Sequence, residues 1–125
     1  MNVPLTNPTG NGAERRQHER RTLRVAAQLK LTDASATGAR PMDVRTLDIS
    51  LGGMGVVTPV NLRSGVTLTI SFTLPARSKG ITPIQARVQV MHSILGRDEG
   101  GFKIGLRFLA ADNATNAAIR EYLGV

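Results

Sequence analysis

The chain has 125 residues, 41% of them hydrophobic, with no Cys and no Trp, and one domain of this length buries about two thirds of its unfolded surface without covalent staples. Lack of Cys excludes a disulfide framework and a thiolate metal site. Its two histidines, His18 and His92, stand far apart with no acidic ligand pattern nearby, so no metal is expected. The formal net charge of +7 is held unevenly, +4 of it within residues 14–30, which points to an anion bound at one place rather than to a coat for a polyanion.

The first thirty residues lack the apolar run of a signal peptide. No stretch approaches the roughly 20 apolar residues that span a bilayer, so a cytoplasmic protein without a membrane span is expected. Residues 1–13 (MNVPLTNPTGNGA) have no periodicity and read as a flexible tail before a domain over 14–125. The segment ERRQHERRTLRV follows, with five arginines in twelve positions. Strict two-residue alternation then begins, with Leu23, Val25, Ala27, Leu29 and Leu31 on one face, as in a half-buried strand. TDASATGARP (32–41) reads as a loop.

From Met42, Val44 keeps one phase while Leu47 and Ile49 take the other, which predicts a β-bulge or bend near Thr46. SLGG (50–53) is a tight turn, and Met54 to Thr58 a short strand ended by Pro59. Three further strands carry inward Val66, Leu68, Ile70, Phe72 and Leu74; Ile84, Ala86, Val88 and Val90; and Phe102, Ile104, Leu106 and Phe108. The C-terminal stretch changes period. Asp112 can N-cap, Gly124 can C-cap, and Asn113-Ala114-Thr115 is a helix start rather than a glycosylation site. Six short strands and one helix over about 112–124 predict an all-β fold, a small six-stranded antiparallel barrel plus a C-terminal α-helix.

Two motifs carry the chemistry. Arg16-Gln17-His18-Glu19-Arg20 has RxxxR spacing, preceded by Arg15; alone it would be solvated surface charge. Asp48-Ile49-Ser50-Leu51-Gly52-Gly53 reads DxSxxG at the turn between two strands, where an ordinary Asx or Ser turn is the plainer reading. Together they complement each other. A carboxylate on a turn accepts the N1 and N2 hydrogens of guanine, a Ser hydroxyl binds a phosphate oxygen or braces the turn, and the glycines permit positive φ and close backbone approach. Arginine forks donate to phosphate and to guanine O6 and N7.

The two motifs in this order, followed by GVTLTISFTLP, IQARVQV and KIGLRFL, closely resemble the PilZ domain, the bacterial receptor module for cyclic di-GMP. The resemblance covers nearly the whole chain after the tail. It implies a six-stranded β-barrel, an arginine segment wrapping over the ligand, a C-terminal helix and no catalysis. Carried over residue by residue, Arg16 and Arg20 grip phosphate and guanine, and Asp48, Ser50 and Gly53 form the floor. Arg15 stands where an arginine goes with a stacked, intercalated pair of ligand molecules. Gly52, Arg21 and Met91 are secondary candidates. Glu19 departs from the proline common in relatives, and no Trp or Tyr on the later strands is placed to stack on a base, so Met91 or His92 is what remains for a wall; His92 by itself reads as a surface histidine at a strand end.

The resemblance thus implies a cyclic di-GMP receptor that needs no cofactor, changes the conformation of its arginine segment on binding, and regulates a separate protein in motility, biofilm or exopolysaccharide output. The competing class is a small barrel that binds nucleic acid non-specifically. It explains the charge but not the turn, and three Phe and one Tyr are few for stacking on bases. Catalysis is disfavoured: there is no Cys nucleophile, and neither His has a motif linking it to Ser and Asp.

Overall fold

A computed structural model of the chain describes residues 19–31, 40–76 and 80–125. The 1–13 tail, the arginines at 15 and 16 and most of the 32–41 loop lie outside these residues. Seven strands and a helix appear in order: β1 (Arg21–Thr22), β2 (Ala26–Leu31), β3 (Met42–Ile49), β4 (Gly53–Thr58), β5 (Thr67–Ala76), β6 (Gly80–Gly96), β7 (Gly101–Ala110) and α1 (Asn113–Leu123). All pairings are antiparallel, in the order β1-β3-β2-β5-β6-β7-β4, and β4 pairs again with β3. Six strands, β2 to β7, therefore close into the expected barrel, which leaves no long open edge.

The two-residue β1 continues the line of β2 along the same side of β3, Thr22 opposite Asp48 and Ala26 opposite Arg45. Between them the ladder is interrupted at Leu23–Val25, and Thr46 fills the gap. Its hydroxyl, 1% exposed, accepts from Val25 N–H at 2.9 Å and donates to the Leu23 carbonyl. A buried backbone break is thus satisfied by one side chain.

Inward positions follow the alternation. Ala27, Leu29, Val44, Ile70, Phe72, Ile84, Val88, Val90, Ile104 and Leu106 are buried in one cluster, while Leu31, at the last residue of β2, is exposed. α1 packs on β5 and β6 and drives Ile119, fully buried, into the same core. Asp112 accepts from Thr115 N–H at 2.7 Å, and Gly124, at φ 78°, closes the C-terminus by donating to the Arg120 and Glu121 carbonyls. Among the described residues, no helix is long and apolar enough to cross a membrane, and no group of three or more His, Cys, Asp or Glu is placed to hold a metal ion.

The sequence-based strand ending at Val90 is too short, because β6 continues to Gly96 across a register shift between Val90 and His92. The β6–β7 ladder shifts register again between Arg87 and Val88, and the β3–β4 ladder does so between Thr46 and Asp48, where the phase change predicts a bulge.

Thr46→Val keeps the shape but leaves Val25 N–H and the Leu23 carbonyl without their partner. A loss of about 1–3 kcal/mol in urea unfolding is expected, with Thr46→Ser close to wild type. The Asp112 carboxyl is held below the ordinary 3.8 by the Thr115 backbone N–H and then by the Thr115 side chain. A depressed folded-state value stabilises fully above the unfolded one and ceases to do so as pH falls through it. The stability difference between wild type and Asp112→Ala is therefore expected to be largest above about pH 4 and to shrink at lower pH in a denaturation series, to what a neutral cap contributes.

Candidate functional site

The DxSxxG turn joins β3 to β4. Ser50 is buried, and its hydroxyl is engaged within the turn: it lies 3.2 Å from the N–H groups of Gly52 and Gly53, which donate to it, and donates to the Gly53 carbonyl at 3.2 Å. Ser50 N–H also donates to the Gly53 carbonyl at 2.8 Å. Of the two roles its chemistry allows, this geometry supplies the bracing one. Gly53 is needed for close approach. A Cβ there would fall on the Leu106 carbonyl oxygen and 3.1 Å from its carbon. The left-handed glycines among the described residues are Gly65, Gly80, Gly100 and Gly124, so neither Gly52 nor Gly53 uses the positive φ anticipated for them.

Asp48 is aimed outward by the bulge. Val44 and Thr46 are buried, so an unbroken strand would send Asp48 inward next. The register slips one residue at Leu47, Asp48 pairs with Gly55, and Ile49 takes the buried position opposite Met54. Gly55 N–H donates to Asp48 Oδ1 at 3.0 Å, which fixes the carboxylate over β4. Arg20 Nη1 then meets it at 3.3 Å from Oδ2 and 3.4 Å from Oδ1, with side chains 40% and 31% exposed. The second arginine of the RxxxR spacing and the first residue of DxSxxG are thus brought together across 28 residues of chain.

This pair is long for a charge-assisted bond, whose N···O distance is about 2.7–2.9 Å, and exposed pairs of this kind are worth about 0.2–1 kcal/mol. It positions a donor fork beside an acceptor and opens at little cost to a ligand that offers better partners to both.

Arg21 does different work. Its guanidinium lies 4.6 Å above the Tyr122 ring and donates to the Tyr122 carbonyl. The Tyr122 hydroxyl in turn donates to the Thr22 carbonyl at 2.6 Å. The residue next to Arg20 is therefore committed to α1, while Thr22 pairs with Asp48. Met91 is the extra residue at the register shift between Val90 and His92, and its carbonyl accepts from the Ser64 hydroxyl at 3.1 Å. Arg107 stands on the outward face of β7 opposite Gly53, as its alternation with buried Leu106 predicts, and its guanidinium donates to Gln89 at 2.7 Å.

The fold is shared with solved structures. The inhibitor of motility MotI/DgrA of Bacillus subtilis aligns at a TM-score of 0.72 and 18% identity, over 88% of this chain and 50% of that one. The PilZ domain of Escherichia coli YcgR, solved with c-di-GMP, aligns at 0.59 and 17% identity, over 88% of this chain and 90% of that one. PlzA of Borreliella burgdorferi in complex with c-di-GMP aligns at 0.59 and 17% identity, over 91% and 43%. The chain thus spans about half the length of the MotI/DgrA and PlzA chains. No curated protein sequence matches it significantly. The family model of the PilZ domain matches residues 14–124, from the arginine segment to the helix cap. With its barrel, its turn and its terminal helix, the chain belongs to the PilZ domain family.

Proposed function

We propose that this chain is a receptor for cyclic di-GMP, and the observation that carries the reading is the meeting of Arg20 with Asp48 on the outer wall of the barrel. An anchored carboxylate offers acceptor oxygens to the N–H edge of guanine, and the guanidinium beside it offers donors to phosphate or to guanine O6 and N7. Arg16 supplies the second fork of the RxxxR pair, Ser50 and Gly53 hold the floor in shape, and Arg15 favours an intercalated pair of ligand molecules. The relatives YcgR and PlzA, both solved with c-di-GMP, support this choice of ligand.

On binding, the segment bearing Arg15, Arg16 and Arg20 closes over the dianion, and the changed surface acts on a separate protein. MotI/DgrA, an inhibitor of motility, supports motility as one output of this kind; biofilm and exopolysaccharide control are others. The domain works without metal or cofactor, in the cytoplasm, and by binding rather than catalysis. A ligand switches such a domain only by binding its two states differently.

Titration calorimetry at physiological salt is expected to give selective binding of cyclic di-GMP in the micromolar range, about −8 kcal/mol, with no comparable heat from GMP. A stoichiometry near two would support the role given to Arg15. Salt-sensitive binding of random single-stranded DNA with no response to the dinucleotide would favour the nucleic-acid reading instead. Arg16→Ala and Asp48→Ala are each expected to weaken the dinucleotide by roughly 10- to 100-fold, the loss of one charge-assisted hydrogen bond, with the folded circular dichroism spectrum retained. Amide exchange across residues 10–24 should slow when ligand is added; equal rates with and without it would rule out closure of the segment.

A further inference from the structure

Arg24 is the last arginine of the ERRQHERRTLRV segment, and it serves a different part of the outer wall from Arg20. Leu23 is buried and Ala26 pairs with Arg45, so the alternation turns Arg24 outward on the same side as Arg45 of β3. Both side chains are exposed and line one cavity, together with Leu47, the extra residue of the first bulge. Arg45 pairs with Val57, and Val57 with Lys103. This row lies two residues along the strands from the one that holds Asp48, Gly55 and Gly105.

The far side of the cavity is the turn between β6 and β7, which contributes Asp98 and Glu99. Gly100, at φ 78°, turns the chain back towards β7. Glu99 is seated: its Oε1 lies where a Cβ on Gly96 would come within 2.6 Å, and its Oε2 is 3.9 Å from Lys103 Nζ. The cavity between the two walls measures about 470 Å3, with Leu47 and Val57 supplying apolar surface, a size common for ligand clefts. Among the described residues the salt bridges are Arg20 with Asp48 and Glu99 with Lys103, so none crosses the cleft. Arginines on one wall and carboxylates on the other, not neutralising each other, complement a single molecule that carries both signs. A phosphodiester would be attracted by one wall and repelled by the other.

We propose that this cleft takes an extended segment of the separate protein on which the receptor acts, one with an acidic and a basic side chain two residues apart. The inference rests on the receptor reading for the existence of such a partner and names the surface offered to it. In an extended chain, side chains two residues apart share a face at a spacing of about 7 Å. The acid turns to Arg24 and Arg45, the base to Asp98 and Glu99, and their aliphatic stems lie on Leu47 and Val57. Leu47 immediately precedes Asp48 at the bulge, so the cleft and the dinucleotide site share one irregularity of β3.

The test is an amide NMR titration of the whole chain, without dinucleotide, using the peptide acetyl-Gly-Glu-Val-Lys-Gly-amide. Binding on the order of a millimolar is expected, with shifts centred on Arg24, Arg45, Val57, Asp98 and Glu99 and none along β5. Gln in place of the peptide's Glu or Lys should weaken it roughly two- to fivefold, the loss of one exposed ion pair. Asp98→Lys combined with Glu99→Lys, both on a surface turn, should reverse the preference, so that a peptide with Glu at both charged positions binds better than the original. Equal binding of the charged and Gln peptides, an unreversed preference or shifts away from the cleft would overturn the proposal. So would a concentration-dependent dimer in sedimentation that Asp98→Lys abolishes, since a second copy would then be the occupant. Dinucleotide binding with no response to the peptide would overturn the cleft alone. Peptide binding with no heat from cyclic di-GMP would overturn the receptor reading, and with it the role of the cleft as its output surface.

Discussion

Strands have a side-chain period of two, and in a closed barrel that period divides core from surface without compromise. Inserting a single residue therefore exchanges the two sides for everything downstream until a second irregularity restores them. In this chain the insertions at Leu47 and Met91 each fall directly before a polar residue. Asp48 and His92 would otherwise be buried without partners, at a cost of several kcal/mol for a charged carboxylate. The bulges remove that cost and at the same time give the outer wall its chemistry. Burial of the core and outward placement of these two side chains are here one geometric event rather than two.

The arginine threshold is tied to the barrel by neighbouring residues with separate duties. Arg20 reaches Asp48, whereas Arg21 and Thr22 hold Tyr122 of the terminal helix. Thr22 is also the cross-strand partner of Asp48. A ligand that draws Arg20 away from its weak ion pair acts one residue from the contact that seats α1. Ile119 keeps the body of that helix in the core, so its last turn, around Tyr122, is the part most directly exposed to what happens at the site.

Most of the fold was legible along the chain. The alternating runs from Leu23, Val66, Ile84 and Phe102 marked strands, the change of period after Asp112 marked the helix, and the opposite phases of Val44 and Ile49 marked the first bulge. The bulge at Met91 is not legible, because Met91 follows Val90 without any visible change of pattern and the alternation reads as a strand that ends there. By sequence alone His92 for that reason reads as a strand-end surface residue. The signal was present in a weaker form: a histidine at the next inward position of an otherwise apolar strand implies that the strand does not continue in phase.

What the sequence by itself determined is the set of parts: a basic segment with RxxxR spacing, a DxSxxG turn, strands enough for a small barrel, and a capped helix. These are local, written in spacing, period and caps, which a chain carries wherever it is placed. Only the tertiary structure decided how they divide their work. It set Arg20 on Asp48 and Arg21 on Tyr122, gave the Ser50 hydroxyl to its own turn, and ranged Asp48, Gly55, Gly105 and His92 in one row. Those neighbours are fixed by the register of strands distant in sequence, and register follows from the whole closed sheet rather than from any one strand.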